Sequence, residues 1–272
     1  SDKPSVVCLL GGDFVQLARP DHRIARTLEE AAALAASFAA SGAAPLGKVP
    51  EPVSPVDLAV LRNRLSPGQR YLRGLFSGGT LCYEAQVIWR EQLLSRVFSN
   101  APLNPDDRLP DSTRSQCHSA VDLGEEEFTV GRPHPMIDND LRIRRLHQEA
   151  NDPEVAVILL DVVLGYGAHP DPAGELAPAI AQVRSHAAQA GRRLEVVALV
   201  VGTDEDPQNM TAQLEQLRAA GARVETSNNT TIRYTAHLLQ ALNPKSKIEK
   251  AKSVSLSVLQ APFAAINVGL ES

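Results

Sequence analysis

The chain has 272 residues, a formal net charge of −5, 43% hydrophobic residues and 22% charged residues. This length supports a sizeable buried core without disulfides or metals, and the balance is that of a globular chain rather than a disordered or membrane-embedded one. The acidic balance, with a pI near 5.8, argues against a protein that mainly neutralises nucleic-acid phosphates, although a local basic cluster can still hold a small anion.

Three cysteines, Cys8, Cys82 and Cys117, are odd in number and lack CxxC spacing, so neither a disulfide framework nor a structural metal is expected. A reducing compartment is the simpler inference. No apolar run approaches the roughly 18 residues of a membrane span, and Ser1-Asp2-Lys3-Pro4 lacks the basic and apolar regions of a signal peptide, so a cytoplasmic protein is expected.

In chain order, a strand-like run from Ser5 to Leu10 ends in Gly11-Gly12-Asp13 and leads to an Ala-rich helix over Thr27–Ser41, a single βα unit with no sheet around it. From Gly42 to Asp57, Pro45, Pro50, Pro52 and Pro55 rule out a continuous helix or a central strand and mark a linker. From Ser66 the pattern becomes regular. Strands near Tyr71–Phe76, Ser119–Leu123, Val155–Asp161, Leu194–Val201 and Ala222–Thr226 alternate with helices over Thr80–Phe98, Met136–Asn151, Gly174–Ala190, Asn209–Ala220 and Thr230–Leu242. The continuously apolar runs Val155–Leu160 and Val196–Val201 are those of parallel strands covered on both faces. The expected fold is α/β: a five-stranded parallel, doubly wound sheet with partial α/β elements at either end. The expected division is residues 1–45 as part of a preceding Rossmann-like domain, 46–65 as linker, 66–242 as the main domain, and 243–272 as linker and the start of a further domain. That last stretch holds the Lys-rich segment Pro244–Lys252 and an apolar run, Phe263–Val268. Isolated pieces at both ends leave sheet edges unpaired, which points to a piece of a larger protein or to a subunit completed by another chain.

Ser77-Gly78-Gly79-Thr80 joins a strand to a helix with almost no side-chain bulk, which suits an anion seated on backbone N–H groups at the positive helix end. The plainer reading is a tight turn with Thr80 near a cap. Glu84, one turn on, either faces that site or solvates the helix. Asp161 ends the most apolar strand, and the loop from Gly165 through Gly167 and His169 to Pro172 lies where open α/β sheets place ligands. Asp161 is thus an acid–base candidate, and Gly165 and Gly167 are anion-binding candidates. Asp171 and Glu175 read equally well as helix-capping acids. His134, held between Pro133 and Pro135, is a second acid–base candidate beside His169, while a structural histidine is the alternative. The cluster Arg142, Arg144 and Arg145 reads best as a solvated helix face.

Three strings, Arg73–Ala85, His134-Pro135-Met136-Ile137-Asp138 and Leu160–Pro172, closely resemble the FdrA family, and the likeness runs from Val6-Val7-Cys8 to Ile266–Glu271. Members of that family are longer at both ends, with an N-terminal part that resembles a CoA-binding Rossmann domain. They resemble in turn the alpha subunit of succinyl-CoA synthetase, which implies a flavodoxin-like domain and makes CoA a possible ligand. In those ligases a histidine in a Gly-His-Ala-Gly segment is phosphorylated, whereas the corresponding place here reads Gly202-Thr203-Asp204-Glu205-Asp206-Pro207. The narrower resemblance, to a subunit of oxamate carbamoyltransferase in allantoin breakdown, implies transfer between oxalurate and phosphate to give oxamate and carbamoyl phosphate. It also implies companion enzyme subunits, an oligomer and a small anionic substrate; the acidic balance and the lack of a long apolar run point away from nucleic acid and membrane as partners. The alternatives that stay open are an ADP-forming acyl-CoA ligase subunit and a non-catalytic assembly subunit.

Overall fold

The computed structural model describes residues 5–12, 22–39, 65–66 and 68–242. Its main sheet is built on β3 (Tyr71–Phe76), β4 (Val97–Phe98), β5 (His118–Asp122), β6 (Val155–Val163), β7 (Glu195–Val201) and β8 (Arg223–Glu225). The strands lie in the order β4-β5-β3-β6-β7-β8, and every pairing is parallel. Without the short edge strand β4, this is the flavodoxin order, which reverses direction between the first and third strands. Here those strands are β3 and β6.

The expected five strands become six because the helix after β3 stops early. Helix α2 (Gly79–Leu93) ends where Leu94 turns left-handed, at φ 47° and ψ 39°, and the chain then lays Val97 and Phe98 beside β5. Two residues are too few to show a strand period in sequence. The remaining helices are α3 (Glu126–Thr129), α4 (Asp140–Asn151), α5 (Pro172–Gln189), α6 (Met210–Ala219) and α7 (Asn228–Leu242). Helix α4 begins four residues later than its sequence pattern suggests, since the N–H groups of Ile137 and Asp138 both turn back to the His134 carbonyl.

The helices cover both faces. Leu72 and Phe76 of β3 face Cys82, Ile88 and Trp89 of α2 and Ile232 and Leu239 of α7. Leu75 faces the other side, where Leu146 of α4, Leu176 and Ile180 of α5 and Leu217 of α6 pack. Alternation along one strand thus feeds two cores, and β6 and β7 are apolar on nearly every residue because both their faces are covered. Trp89 is fully buried, and its indole N–H reaches the Ile232 carbonyl at 3.1 Å and Thr235 Oγ1 at 3.0 Å, tying α2 to α7.

The reading of α4's arginines as a solvated face holds only for Arg144, which pairs with Asp140 at the surface. Arg142 and Arg145 are buried, at 3% and 4% exposure. Arg145 Nε meets Glu149 at 2.6 Å, and the Glu149 carboxylate also takes Nε of Arg73 from β3 at 3.0 Å. Helix α4 therefore turns charge toward the sheet, where opposite charge awaits it.

The N-terminal piece holds one strand more than the sequence suggests. β1 (Ser5–Cys8) pairs in parallel with β2 (His22–Ala25), followed by α1 (Leu28–Ala39). Thr27 Oγ1 caps α1 at Glu30 N, while the Glu30 carboxylate returns to Arg26 N, a close variant of the capping box. The Leu28 N–H goes to Glu84 of α2 at 2.7 Å. Glu84 is fully buried and also takes Asn228 Nδ2 at 2.5 Å, so it neither faces the anion turn nor solvates its helix. The Pro-rich linker and the Lys-rich C-terminal segment lie outside the described residues.

Replacing Trp89 by Ala removes the largest side chain between α2 and α7. The expected loss is about 3–5 kcal/mol of unfolding free energy in urea titrations, with the midpoint lowered.

Candidate functional site

Parallel strands bring their following loops to one edge of the sheet, and the crevice at the reversal point, between β3 and β6, is the natural place for a ligand. Asp161 of β6 sits there with 0% exposure. Its carboxylate accepts the Ser77 backbone N–H at 3.0 and 3.1 Å and the Ser77 hydroxyl at 2.7 Å. From α4, Arg142 Nη2 meets Asp161 Oδ1 at 2.9 Å and also donates to the Asp161 carbonyl. Burial lowers the Arg142 pKa, and Asp161 opposes that effect. These contacts hold the end of β3 to the end of β6. Ser77 and Asp161 accordingly position the turn, and their polar atoms face each other rather than solvent.

What the turn leaves open is its backbone. Gly78 is extended as the cap of α2 and makes no side-chain cap bond. The N–H groups of the first turn therefore have no side-chain acceptor there, the arrangement in which a helix end favours an anion. Gly78 and Gly79 are half-buried and Thr80 is exposed, so the turn is reachable.

The polar chain continues away from the turn. Arg142 Nη1 approaches Asn139 Oδ1 at 3.5 Å, Asn139 Nδ2 reaches Glu175 Oε2 at 3.1 Å, and His169 Nε2 lies 3.3 Å from the same oxygen. His169 Nδ1 accepts from Asp171 N at 3.1 Å, which places the proton of a neutral ring on Nε2, toward Glu175. Asp171 caps α5 through Gly174 N, as its plainer reading expects. His169 thus opens onto a groove of about 450 Å³ with Ile137, Asp138, Glu175 and Pro178, beside α5.

Gly165 and Gly167 have φ of 136° and 86°, a shape that side chains resist. Both backbone groups of Gly165 are already engaged: its N–H goes to Gln208 Oε1 and its carbonyl accepts from Gln208 Nε2. This loop leans on the one after β7. Met136 also joins it to the anion turn: its carbonyl takes His169 N at 2.8 Å, and its Cε lies 3.4 Å from the point a side chain on Gly78 would fill.

His134 lies beside the turn. Its Nδ1 accepts from Met136 N at 3.2 Å, leaving Nε2 to carry the proton of the neutral ring. A Cβ on Gly124 would lie 2.9 Å from that Nε2, 3.1 Å from Asp122 Oδ1 and 2.6 Å from the Ser77 carbonyl, so only glycine lets the three elements meet. Asp122, at the end of β5, is the residue that sequence reasoning passed over. It is 3% exposed, and its Oδ1 accepts Gly124 N at 2.8 Å. Burial raises its pKa to about 6, with the charges of Glu125 and Asp161 adding to the effect and the Gly124 bond opposing it. A strand ending in Val121-Asp122-Leu123-Gly124 gave the one available signal, a carboxylate at a strand's carboxyl end.

Among the described residues no group of His, Cys, Asp and Glu could hold a metal ion, and no helix is long and apolar enough to cross a membrane.

With this geometry in hand, the sequence pattern of the CoA-ligase family matches residues 75–238. The uncharacterized protein YahF of Escherichia coli (strain K12) is 41% identical over 231 residues, a match that takes in 84% of this chain and 44% of that one. The chain thus spans less than half the length of this relative. Among solved structures, the apo form of the dinucleotide-forming acetyl-coenzyme A synthetase 1 of Ca. Korarchaeum cryptofilum aligns with 90% of this chain and 54% of its own, at 14% identity and a TM-score of 0.46. MAR1 ribonuclease from Caenorhabditis elegans aligns with 77% of this chain at 12% identity and a TM-score of 0.30.

Two outcomes are expected. Asp161→Ala leaves Arg142 buried without its partner and should cost about 3–5 kcal/mol in denaturant titrations, whereas Asp161→Leu combined with Arg142→Met should cost less. Asp122→Asn should stabilise the fold in a pH-dependent way. The folded-state pKa of Asp122 is raised to about 6, so its penalty is absent below the unfolded value near 4, grows through pH 6 and is complete above it. The gain from Asn should then be on the order of 2 kcal/mol at pH 8 and vanish near pH 3.5.

Proposed function

The chain belongs to the CoA-ligase family, and from that premise we propose that residues 71–242 are the phosphate-handling domain of an acyl-CoA ligase-type enzyme. The observation that carries this reading is the uncapped turn Gly78-Gly79-Thr80 at the β3/β6 reversal, inside the family match. In the overall reaction a carboxylate, a nucleoside triphosphate and CoA give a thioester, the diphosphate and inorganic phosphate. The oxygen lost by the carboxylate leaves on that phosphate. The chemistry asks the protein to seat a phosphoryl group on fixed donors, which a helix amino end supplies without reorganisation. Asp161 and Arg142 keep those donors aimed, and His134 Nε2 is the acid–base group beside them. His169 stands one polar chain away, in the groove beside α5, and suits substrate contact there.

The finer reading is an FdrA-like subunit working with companion subunits, in which residues 1–45 are part of a preceding Rossmann-like, CoA-binding domain. One observation favours a second chemistry within it. The loop after β7 offers Asp204 and Glu205 at the surface, with Asp206 bound to Thr203 N, where a ligase would present its phosphorylated histidine. Direct carbamoyl transfer, from oxalurate to phosphate, uses the same phosphate seat without a phosphohistidine.

The test combines the chain with its companion subunits and supplies γ-labelled ATP, CoA and a panel of carboxylates. Thioester formation that needs both ATP and CoA is the expected result. Oxamate and carbamoyl phosphate formed from oxalurate and phosphate without CoA would select the second chemistry. Thr80→Pro removes one first-turn N–H at a position where proline is tolerated, and turnover should fall roughly tenfold or more. Unchanged turnover would remove the turn from either mechanism.

A further inference from the structure

We propose that Asp122 makes the amino end of α2 selective for an oxyanion that still carries a proton, inorganic hydrogen phosphate, over a fully deprotonated one such as sulfate. The inference rests on the reading that this turn takes phosphate, and it adds the residue that decides which anion is accepted.

Asp122 is buried at 3% exposure. Its Oδ1 is engaged by Gly124 N, but among the described residues no hydrogen bond reaches Oδ2. That oxygen lies 3.2 Å from the point where a side chain on Gly79 would begin, beside the first residue of α2. A carboxylate on a residue only 3% exposed, with one oxygen unbonded among the described residues and set against a helix end whose N–H groups lack a side-chain cap, is an unusual combination. The N–H groups attract an anion, while the carboxylate repels one. The two features are compatible when a single proton lies between Oδ2 and a ligand oxygen, because it turns repulsion between like charges into a short charge-assisted hydrogen bond. Hydrogen phosphate brings that proton at neutral pH, and sulfate has none to bring.

The surroundings favour sharing a proton over a bare charge at Asp122. From α2, Cys82 and Tyr83 face it, and burial raises the pKa of both groups, with Asp122 contributing in each case. From β6 it meets the charge of Asp161, which Arg142 already engages. On its own loop Glu125 adds like charge, and Glu127 is held nearby by Asn100 Nδ2, which also donates to the Asp122 carbonyl. No arginine or lysine neutralises Asp122 in this set. His134 Nε2 lies close by, 2.9 Å from the point where a side chain on Gly124 would begin, and offers a donor to the anion.

The experiment titrates the chain and its Asp122→Asn variant with inorganic phosphate and, separately, with sulfate at pH 7.5. The amide signals of Gly79 and Thr80 are followed by NMR and the affinities measured by calorimetry. Asn keeps an acceptor for Gly124 N and can donate from its amide, so the variant should fold and should accept sulfate. The expected result is phosphate preferred over sulfate by about tenfold or more in the parent chain, falling to near parity in the variant through tighter sulfate binding. Equal affinities in the parent, or a preference unchanged by Asp122→Asn, overturn the selectivity while leaving the phosphate seat intact. If neither anion moves the two amides, the seat itself is wrong and the selectivity falls with it.

Discussion

The carboxylate of Asp161 is the contact on which the candidate site depends. It stands at the end of β6, where the sheet reverses its order, and it takes both the N–H and the hydroxyl of Ser77 together with the guanidinium of Arg142. A fully buried ion pair is a poor source of stability, because desolvating the two charges offsets most of their attraction. Its value here is geometric. With Ser77 fixed at two atoms, the chain leaves β3 in one direction, Gly78 stays extended, and α2 begins with its first turn uncapped. A hydrophobic pair of the same volume would pack as well and would leave the turn without that direction.

The two edges of the sheet handle charge differently. At the amino edge, Arg73 of β3 meets Glu149 and Asp152, and Arg145 shares Glu149, although Arg73 Nη1 stays buried without a hydrogen-bond partner among the described residues. At the carboxyl edge the groups are only partly answered: Oδ2 of Asp122 is unbonded among the described residues, and the α2 cap makes no side-chain bond. Buried polar groups normally find partners, and Arg142 Nε at this edge is, like Arg73 Nη1 at the other, a buried atom without one among the described residues.

The sequence made the interior legible because burial on two faces writes itself as unbroken apolar runs, as in Val196–Val201, and because strand-to-helix turns rich in glycine are hard to mistake. It hid what depends on partners far apart in the chain. Arg142 and Arg145 look like a solvated charged face until Asp161 and Glu149 are placed opposite them. Glu84 looks like a helix-surface acid until Leu28 and Asn228, 56 and 144 residues away, turn out to donate to it. Asp122 escaped for a related reason: its strand is short, and its neighbours Gly79, the first residue of α2, and His134 come from other parts of the chain. The expectation for Ser77 as an anion ligand and Asp161 as an acid–base group came from their place at strand ends; burial makes them the frame of the crevice, while the backbone of Gly78, Gly79 and Thr80 forms its open surface.

Helix α2 is shared by everything the chain does. Its amino end forms the anion turn, Trp89 locks it to α7, and Glu84, one turn from the amino end, receives the first N–H of α1. Burial raises the Glu84 pKa while the bonds from Leu28 and Asn228 oppose that effect, so the N-terminal unit helps this carboxyl to remain in place without water. Withdrawing that unit would leave Glu84 without one of its two donors, a single turn from the anion turn. The family match begins at residue 75 and excludes the unit, yet the helix that opens the site is in direct contact with it. The placement of the phosphate turn is therefore a property of α2 held from both sides, and the residues before the matched region belong to the physical description of the site.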